Sequence, residues 1–278
     1  MIPQFTIDDV IKRAIQEDIN YVDVTTDYLL SDDAVTTANY VAKDSGVVAG
    51  VGIAVRVYEL LDSTVECEIL KQDGDAVQKG DIILTLKGKT KTLLKGERTS
   101  LNLIQHLSGI ATMTSKCVGL VEGTNATITD TRKTLPGLRA LQKYAVTVGG
   151  GRNHRYNLSD GAMLKDNHID AYGSMTNAVN ALRAKIGHMV KIEVETRNLD
   201  ELREALSAGA DVIMLDNMSL EEMRKAVKIT AGRAKLEASG NITDENIRAV
   251  AETGVDIISL GALTHSVKAF DISMKIAL

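Results

Sequence analysis

The chain has 278 residues, 44% of them hydrophobic and 25% charged, with a formal net charge of −5, which suits one large globular domain or two modest ones. Aromatic residues make up only 3% and Trp is absent, so the acidic chain offers neither a broad cationic face nor stacking platforms, which argues against nucleic-acid binding. No window approaches the ~18 apolar residues of a membrane span, and the start, MIPQFTIDDVIKRAIQEDI, has no basic region before an apolar run, so a cytoplasmic protein is expected.

The first hundred residues alternate. TTANYVAK at 36 and STVECEIL at 63 read as half-buried strands, IAVRVYELL as a helix, and the turn-rich GDAVQKGDIILTLKGK as more of a small β-layer. An α/β sandwich domain is expected over 1–108. The Gly-Asp turns of DGDAVQKGDIIL also look like those of biotinyl- or lipoyl-type carriers, and SMKI like their modified Met-Lys. In such carriers the lysine precedes the Gly-Asp turns, whereas Lys275 follows them by almost 200 residues. The segment therefore reads as a strand layer, and 266–278 as a C-terminal helix packing on this first domain. Cys67 and Cys117 belong to no CxxC or Cys/His cluster and read as reduced, buried thiols.

GERTSLNLIQHLSGIATMTSKCVGLVEG reads as a long helix with Glu97 and Arg98 at its start and Leu101, Leu103, Ile104 and Leu107 at helical spacing. It leads into a second domain, expected over 109–265. There, short apolar runs recur: ATITD at 126, GAMLKD at 161, VKIEVE at 190, DVIMLDN at 211, AKLEAS at 234 and DIISLG at 256. Between the later runs lie helix signals: NLDELREALSAG capped by Asn198 and stopped at Gly209, SLEEMRKAVKITAG capped by Ser219, and TDENIRAVAETG capped by Thr243. Continuous apolar runs alternating with helices predict a parallel sheet, and six units in this length predict an incomplete α/β barrel. Each run ends in polar or small groups: Asp130 with Arg132, Lys165 with Asp166, Glu195, Asp216 with Asn217, Glu237 with Ser239, and Gly261. In a parallel barrel these ends meet on the face where such enzymes keep their sites.

Between 130 and 168 there are seven Lys/Arg against three Asp, a local +4 in a chain of −5. Such focusing attracts polyanions, and the Arg forks suit bidentate contacts to carboxylate or phosphate. Three glycines in VGGGRNH would let the backbone approach a ligand, although the spacing is neither a Walker A motif nor a dinucleotide fingerprint. Glu195 and Asp216 end neighbouring strands and can hold ribose hydroxyls or Mg²⁺. Ser239, Gly240 and Gly261 lie where barrels bind phosphate on loop amides and a helix start, with His265 beside them. His154 reads as functional, and His168 as easily fixes a loop. No nucleophilic Ser or Cys with an attendant base is evident. A sugar phosphate carrying pyrophosphate, with a carboxylated acceptor, satisfies every element.

The stretches GERTSLNLIQHLSGIAT, TDTRKTLPGLRALQKYAVTVGGGRNHRYNLSDGAMLKDNHI, KIEVE, VIMLDN, LEASGNI and GVDIISLGALTHSVKAFDIS closely resemble the quinolinate phosphoribosyltransferase family, in order and over nearly the whole chain. The resemblance implies an N-terminal α/β sandwich, a seven-stranded open α/β barrel, and a homodimer whose sites are completed across the interface. It implies transfer of phosphoribosyl from phosphoribosyl pyrophosphate to quinolinate with Mg²⁺, giving nicotinate mononucleotide, pyrophosphate and CO₂ in de novo NAD biosynthesis. Arg132, His154, Arg155 and Lys165 would bind the pyridine dicarboxylate, joined by Arg98 of the partner subunit, and Lys133 would face the pyrophosphate. Glu195 and Asp216 would hold ribose hydroxyls or Mg²⁺; Ser239, Gly240, Asn241, Gly261 and His265 would hold the 5′-phosphate. Lys133, Lys165, Glu195 and Asp216 are the groups expected to act in catalysis. Two positions depart from the family pattern: Asn241 stands where a second glycine is usual after ASG, and Val22 where glycine is usual in EDINYVDVTT. A paralogue of the molybdenum-utilisation type, sharing the barrel but acting on another anionic acceptor, is the alternative; DTRKT and GGGRNHR favour quinolinate.

Overall fold

The alternating stretches of the first hundred residues become an antiparallel sheet in the computed structural model, which describes residues 2–277. β1 (Val35–Ala42) lies between β5 (Ile82–Lys89) and a C-terminal strand, Ile272–Ile276, and β3 (Glu66–Ile69) flanks β5. β2 (Gly46–Val47) pairs with β4 (Ala76–Val77) separately. Because side chains alternate faces, β1 sends Ala38, Tyr40 and Ala42 to one side, and Leu84 and Leu86 of β5 stand opposite Tyr40 and Ala38. The helix Val51–Leu61 covers this face, together with Leu93, Leu101 and Ile104 from the helix Thr90–Leu120. Within that core the Tyr40 and Tyr58 hydroxyls pair at 2.7 Å with the rings edge to face, so two buried polar groups satisfy each other.

The C-terminus is a strand and not the expected helix. AFDISMKI alternates: Phe270, Ile272 and Met274 pack on the core while Asp271, Ser273 and Lys275 point away, and β1 supplies the ladder, with Tyr40 opposite Met274. The long helix also begins earlier than expected, at Thr90, so Glu97 and Arg98 sit two turns inside it. Buried Leu93 extends the apolar stripe back to the end of β5.

Two compact units are present. One takes the chain to Ser115 with Thr134–Gly150 and the segment from Ala262; the other holds Lys116–Lys133 and Gly151–Gly261. The boundary between the units after Ser115 and the expected division near 108 both fall inside the helix Thr90–Leu120. The segment 134–150 belongs to the first unit because its helix Arg139–Val148 is tied there: Tyr144 donates to Asp73 at 2.6 Å and Gln142 to the Thr264 carbonyl at 2.9 Å. Gly149 lies so close to Ala111 that a Cβ would come within 2.5 Å of its carbonyl oxygen. Two of the three consecutive glycines, Gly149 and Gly150, therefore serve helix packing and a turn at φ 87 rather than ligand approach.

In the second unit the six apolar runs form β6 (Thr127–Thr129), β7 (Ala162–Leu164), β8 (Ile192–Thr196), β9 (Val212–Asp216), β10 (Lys235–Ser239) and β11 (Ile257–Ser259). They make one parallel sheet in the order β6-β11-β10-β9-β8-β7. Arg152 adds a single parallel bridge to Thr129, a seventh strand reduced to one residue, and the barrel stays open between that edge and β7. Asn198 accepts the Asp200 and Glu201 N–H groups, and Ser219 with Glu222 forms a reciprocal cap, as those sequences predict. The helix after β10 is confined to Ile247–Ala251 and starts at Asn246, not Thr243. Asn246 accepts the Thr243 N–H and donates to the Asn241 carbonyl, which holds 241–246 in turns. Among the described residues no helix is long and apolar enough to cross a membrane.

Candidate active site

Strand alternation decides which side chains enter the barrel. In β8 Glu193 and Glu195 share the inward face with Met163 of β7, Met214 and Asp216 of β9, Glu237 and Ser239 of β10 and Ser259 of β11. At the carboxyl ends all of these except Glu193 line a cleft of about 480 Å³ with Arg132, Lys133, His154, Arg155 and Lys165. The geometry thus brings together eight of the expected residues: these five with Glu195, Asp216 and Ser239. Gly240, Asn241 and Gly261 follow the same strand ends. Arg98 and His265 are exposed residues of the other unit, His265 with Nδ1 at 2.7 Å from the Ser266 hydroxyl.

The basic cluster is divided by the fold. Arg132, Lys133, Arg155 and Lys165 reach the cleft; Arg139 and Lys143 lie on the helix of the first unit, Arg139 donating to Thr134 and Lys143 fully buried. Lys165 stands at the N-cap position of the helix Asp166–Tyr172, and its Nζ donates to Glu195 Oε2 at 2.6 Å. His168 accepts the Lys165 N–H at 3.1 Å, so it fixes this loop. Arg155 donates to the Gly161 carbonyl at 3.0 Å, and its guanidinium loses basicity through burial and through repulsion from Arg132.

Beneath the rim lies a floor of buried charge. His154 accepts the Arg155 N–H on Nδ1 at 2.7 Å, and its Nε2 stands 3.0 Å from Glu193 and 3.5 Å from Glu237. Both ring nitrogens therefore face protein groups, and the His154 N–H is held by Asp130 at 2.9 Å. Glu193 and Glu237 each keep one buried oxygen without a partner. Burial first, then the Glu193 charge, pushes the Glu237 carboxyl up to about 7, against the pull of His154. Each of the three offers one atom within 4.8 Å of the others, a donor set able to hold a cation. Sequence reasoning passed over Glu193 and Ser259 and took Glu237 only as a strand end. The available signal was the period of two, which counts back from Glu195 to Glu193 and from Ser239 to Glu237. Burial pushes both cysteine thiols up to about 11, in keeping with inert groups.

Comparison with known proteins decides the family. The model of the quinolinate phosphoribosyl transferase N-terminal domain matches residues 23–108 and that of its C-terminal domain residues 110–275. The chain belongs to the quinolinate phosphoribosyltransferase family. A probable nicotinate-nucleotide pyrophosphorylase (carboxylating) of Bacillus subtilis is 50% identical over 262 residues, 94% of this chain and 90% of the relative. The nicotinate-nucleotide pyrophosphorylase (carboxylating) of Mycobacterium leprae is 44% identical over 96% of each chain. NadC from Streptococcus pyogenes, a solved structure, superposes with a TM-score of 0.96 at 43% identity, covering 99% of this chain and 97% of that one. In this member of the phosphoribosyltransferase family, the open barrel and its rim of cations and carboxylates are therefore present in one chain.

Proposed function

We propose that the chain transfers the phosphoribosyl group of phosphoribosyl pyrophosphate to the ring nitrogen of quinolinate and releases CO₂, giving nicotinate mononucleotide and pyrophosphate. The observation that carries this is the cleft itself: Arg132, Lys133, Arg155 and Lys165 face Glu195, Asp216 and Ser239 across one barrel mouth. A dicarboxylate fits the guanidinium forks, and a ribose with phosphate and pyrophosphate fits the remainder.

In this reading Arg132, Arg155 and Lys165 hold the acceptor, and His154 fixes the main chain of Arg155. Glu195 and Asp216 take the ribose hydroxyls, and Lys133 takes the pyrophosphate. Ser239, Gly240, Asn241, Gly261 and His265 take the 5′-phosphate, and Arg98 of the partner subunit completes the acceptor pocket of a homodimer. The bond from the anomeric carbon to pyrophosphate breaks with its electron pair leaving on pyrophosphate, and the ring nitrogen lone pair forms the new bond. Fixed charges stabilise the oxocarbenium-like ribose and the departing anion, so catalysis is positioning and electrostatics. The cationic ring nitrogen then accepts the electrons of the C–C bond to the adjacent carboxylate, CO₂ departs, and a proton takes its place on the ring carbon. An Arg clamp on the second carboxylate fixes which one leaves.

Glu195 and Asp216 suit Mg²⁺ in donor chemistry, being hard oxygen ligands. Each is oriented by one neighbour, Glu195 by Lys165 at 2.6 Å and Asp216 by Asn217 at 2.9 Å. Mg²⁺ held there through substrate oxygens and water would neutralise charge on the pyrophosphate. Incubation with quinolinate, phosphoribosyl pyrophosphate and Mg²⁺, with nicotinate as a parallel acceptor, tests the reading. Equal nucleotide and CO₂ from quinolinate alone is the expected result; product from nicotinate, or from neither, sinks it.

A further inference from the structure

Past the ends of β9 and β10 runs a row of amides whose side chains touch no substrate in the reaction as described. Asn246 donates from Nδ2 to the Asn241 carbonyl at 3.0 Å, Asn241 donates from Nδ2 to Asn217 Oδ1 at 2.9 Å, and Asn217 donates from Nδ2 to Asp216 Oδ2 at 2.9 Å. All three side-chain donors point the same way, toward the Asp216 carboxylate, so the Asn217 amide is polarised by its neighbour and tightens on the charge. The main chain is bent to allow this. Asn217 has φ 55, Gly240 φ 92 and Asn241 φ 50, all left-handed. Gly240 lies so near the Asn217 side chain that a Cβ would come within 2.2 Å of Asn217 Oδ1. The Asn217 N–H also donates to the Ser239 carbonyl at 2.9 Å. Asn217 and Asn241 are non-glycine residues at positive φ joined by one hydrogen bond, a conformation that is unfavourable locally and persists where the surroundings enforce it.

We propose that Asn217 and Asn241 are positioning residues that latch the 239–241 turn to Asp216. Their side chains act through Asp216 and the turn; of the two residues only Asn241 meets the phosphate, and it does so through its main chain. The latch sets the grip of the turn on a phosphate and the aim of the carboxylate at ribose hydroxyls in one step. This rests on the function proposed above. Ligand specificity follows: the latch serves the phosphoribosyl donor and leaves the acceptor untouched.

The test uses Asn241→Gly, Asn217→Gly and the double variant of the full-length protein, glycine being relaxed at positive φ. Calorimetry measures phosphoribosyl pyrophosphate with Mg²⁺, and quinolinate separately. Asn241→Gly, which removes one neutral hydrogen bond, is expected to raise the Kd for phosphoribosyl pyrophosphate about 3- to 10-fold, and Asn217→Gly, which also removes the bond to the Asp216 carboxylate, by at least as much. The double variant should be no weaker than the weaker single, and quinolinate affinity should hold. Losses that multiply in the double variant would mean independent contacts with the substrate and overturn the latch. So would unchanged affinity, or an equal fall for quinolinate. Hydrogen exchange without ligand supplies a second readout: amides at 239–243 should exchange faster in Asn217→Gly although the change lies on another strand, and unchanged exchange overturns the latch. If the unmodified protein fails to bind phosphoribosyl pyrophosphate at all, the proposed function falls and the exchange result alone judges the latch.

Discussion

In the antiparallel sheet of the first unit the covered face carries Ala38, Tyr40, Leu84 and Leu86, and the hydroxyls of Tyr40 and Tyr58 close on each other. In the parallel sheet of the second, the inward face carries Glu193, Glu195, Asp216 and Glu237, and buried oxygens of Glu193 and Glu237 have no partner. Both faces belong to strands with apolar neighbours, yet one is built to lower free energy and the other holds charge against it. Carboxylates kept in a barrel mouth and floor raise the free energy of the fold and are retained where they meet a ligand. Stability and chemistry are thus concentrated in different sheets, and substitutions in the two should fail in different ways.

The sharpest contrast is expected at the barrel rim. Lys165→Ala should lower kcat/KM about 10²- to 10³-fold with little change in melting temperature, because Lys165 is half exposed and acts on charge. If Arg98 completes a partner's site, mixing inactive Lys165→Ala and Arg98→Ala proteins should restore activity, since each heterodimer contains one intact site; no recovery after verified subunit exchange breaks the shared-site reading. On the other side, Leu86→Ala should cost about 2–5 kcal/mol in denaturant unfolding while leaving KM for both substrates unchanged. A large KM change there would erase the division of labour.

Glu237→Gln probes the buried charge directly. The folded protein keeps the Glu237 proton to about 7 against an ordinary value of 4.5. Between those values the folded state binds more protons than the unfolded, so this group lowers stability as pH rises through the window and levels off above it. Gln has no proton to lose. The unfolding free energy of Glu237→Gln relative to the parent should therefore climb between about pH 4.5 and 7, by on the order of 3 kcal/mol at most; a difference constant with pH would mean that the fold compensates an ionised Glu237. The smallest effect is expected at a helix start: Ser219→Ala should cost about 1 kcal/mol and leave activity intact, measured by thermal melts and steady-state kinetics.

Much of the architecture was legible. Six apolar runs became six parallel strands because continuous apolarity is what a strand covered on both faces requires, and Asn198 and Ser219 announced their helices by their own side-chain chemistry. The errors came where a segment's partner lies far away in sequence. DISMKI was misread as helical because its partner, β1, is more than 200 residues distant. Arg139, Lys143 and Gly149 read as parts of a ligand site because composition counts charge and glycine without their direction. Tertiary packing turns these three to other work.

The sequence by itself determined the βα succession, the acidic and basic groups at the strand ends, and the family, because these rest on local periodicity and on residues in fixed order. Tertiary structure alone decided that Arg139 and Lys143 are drawn off to the first unit, that His154 turns both nitrogens inward, and that Asn241 reaches Asp216 through Asn217. Those relations depend on strand register and on side-chain direction across neighbouring strands, and a linear pattern carries neither.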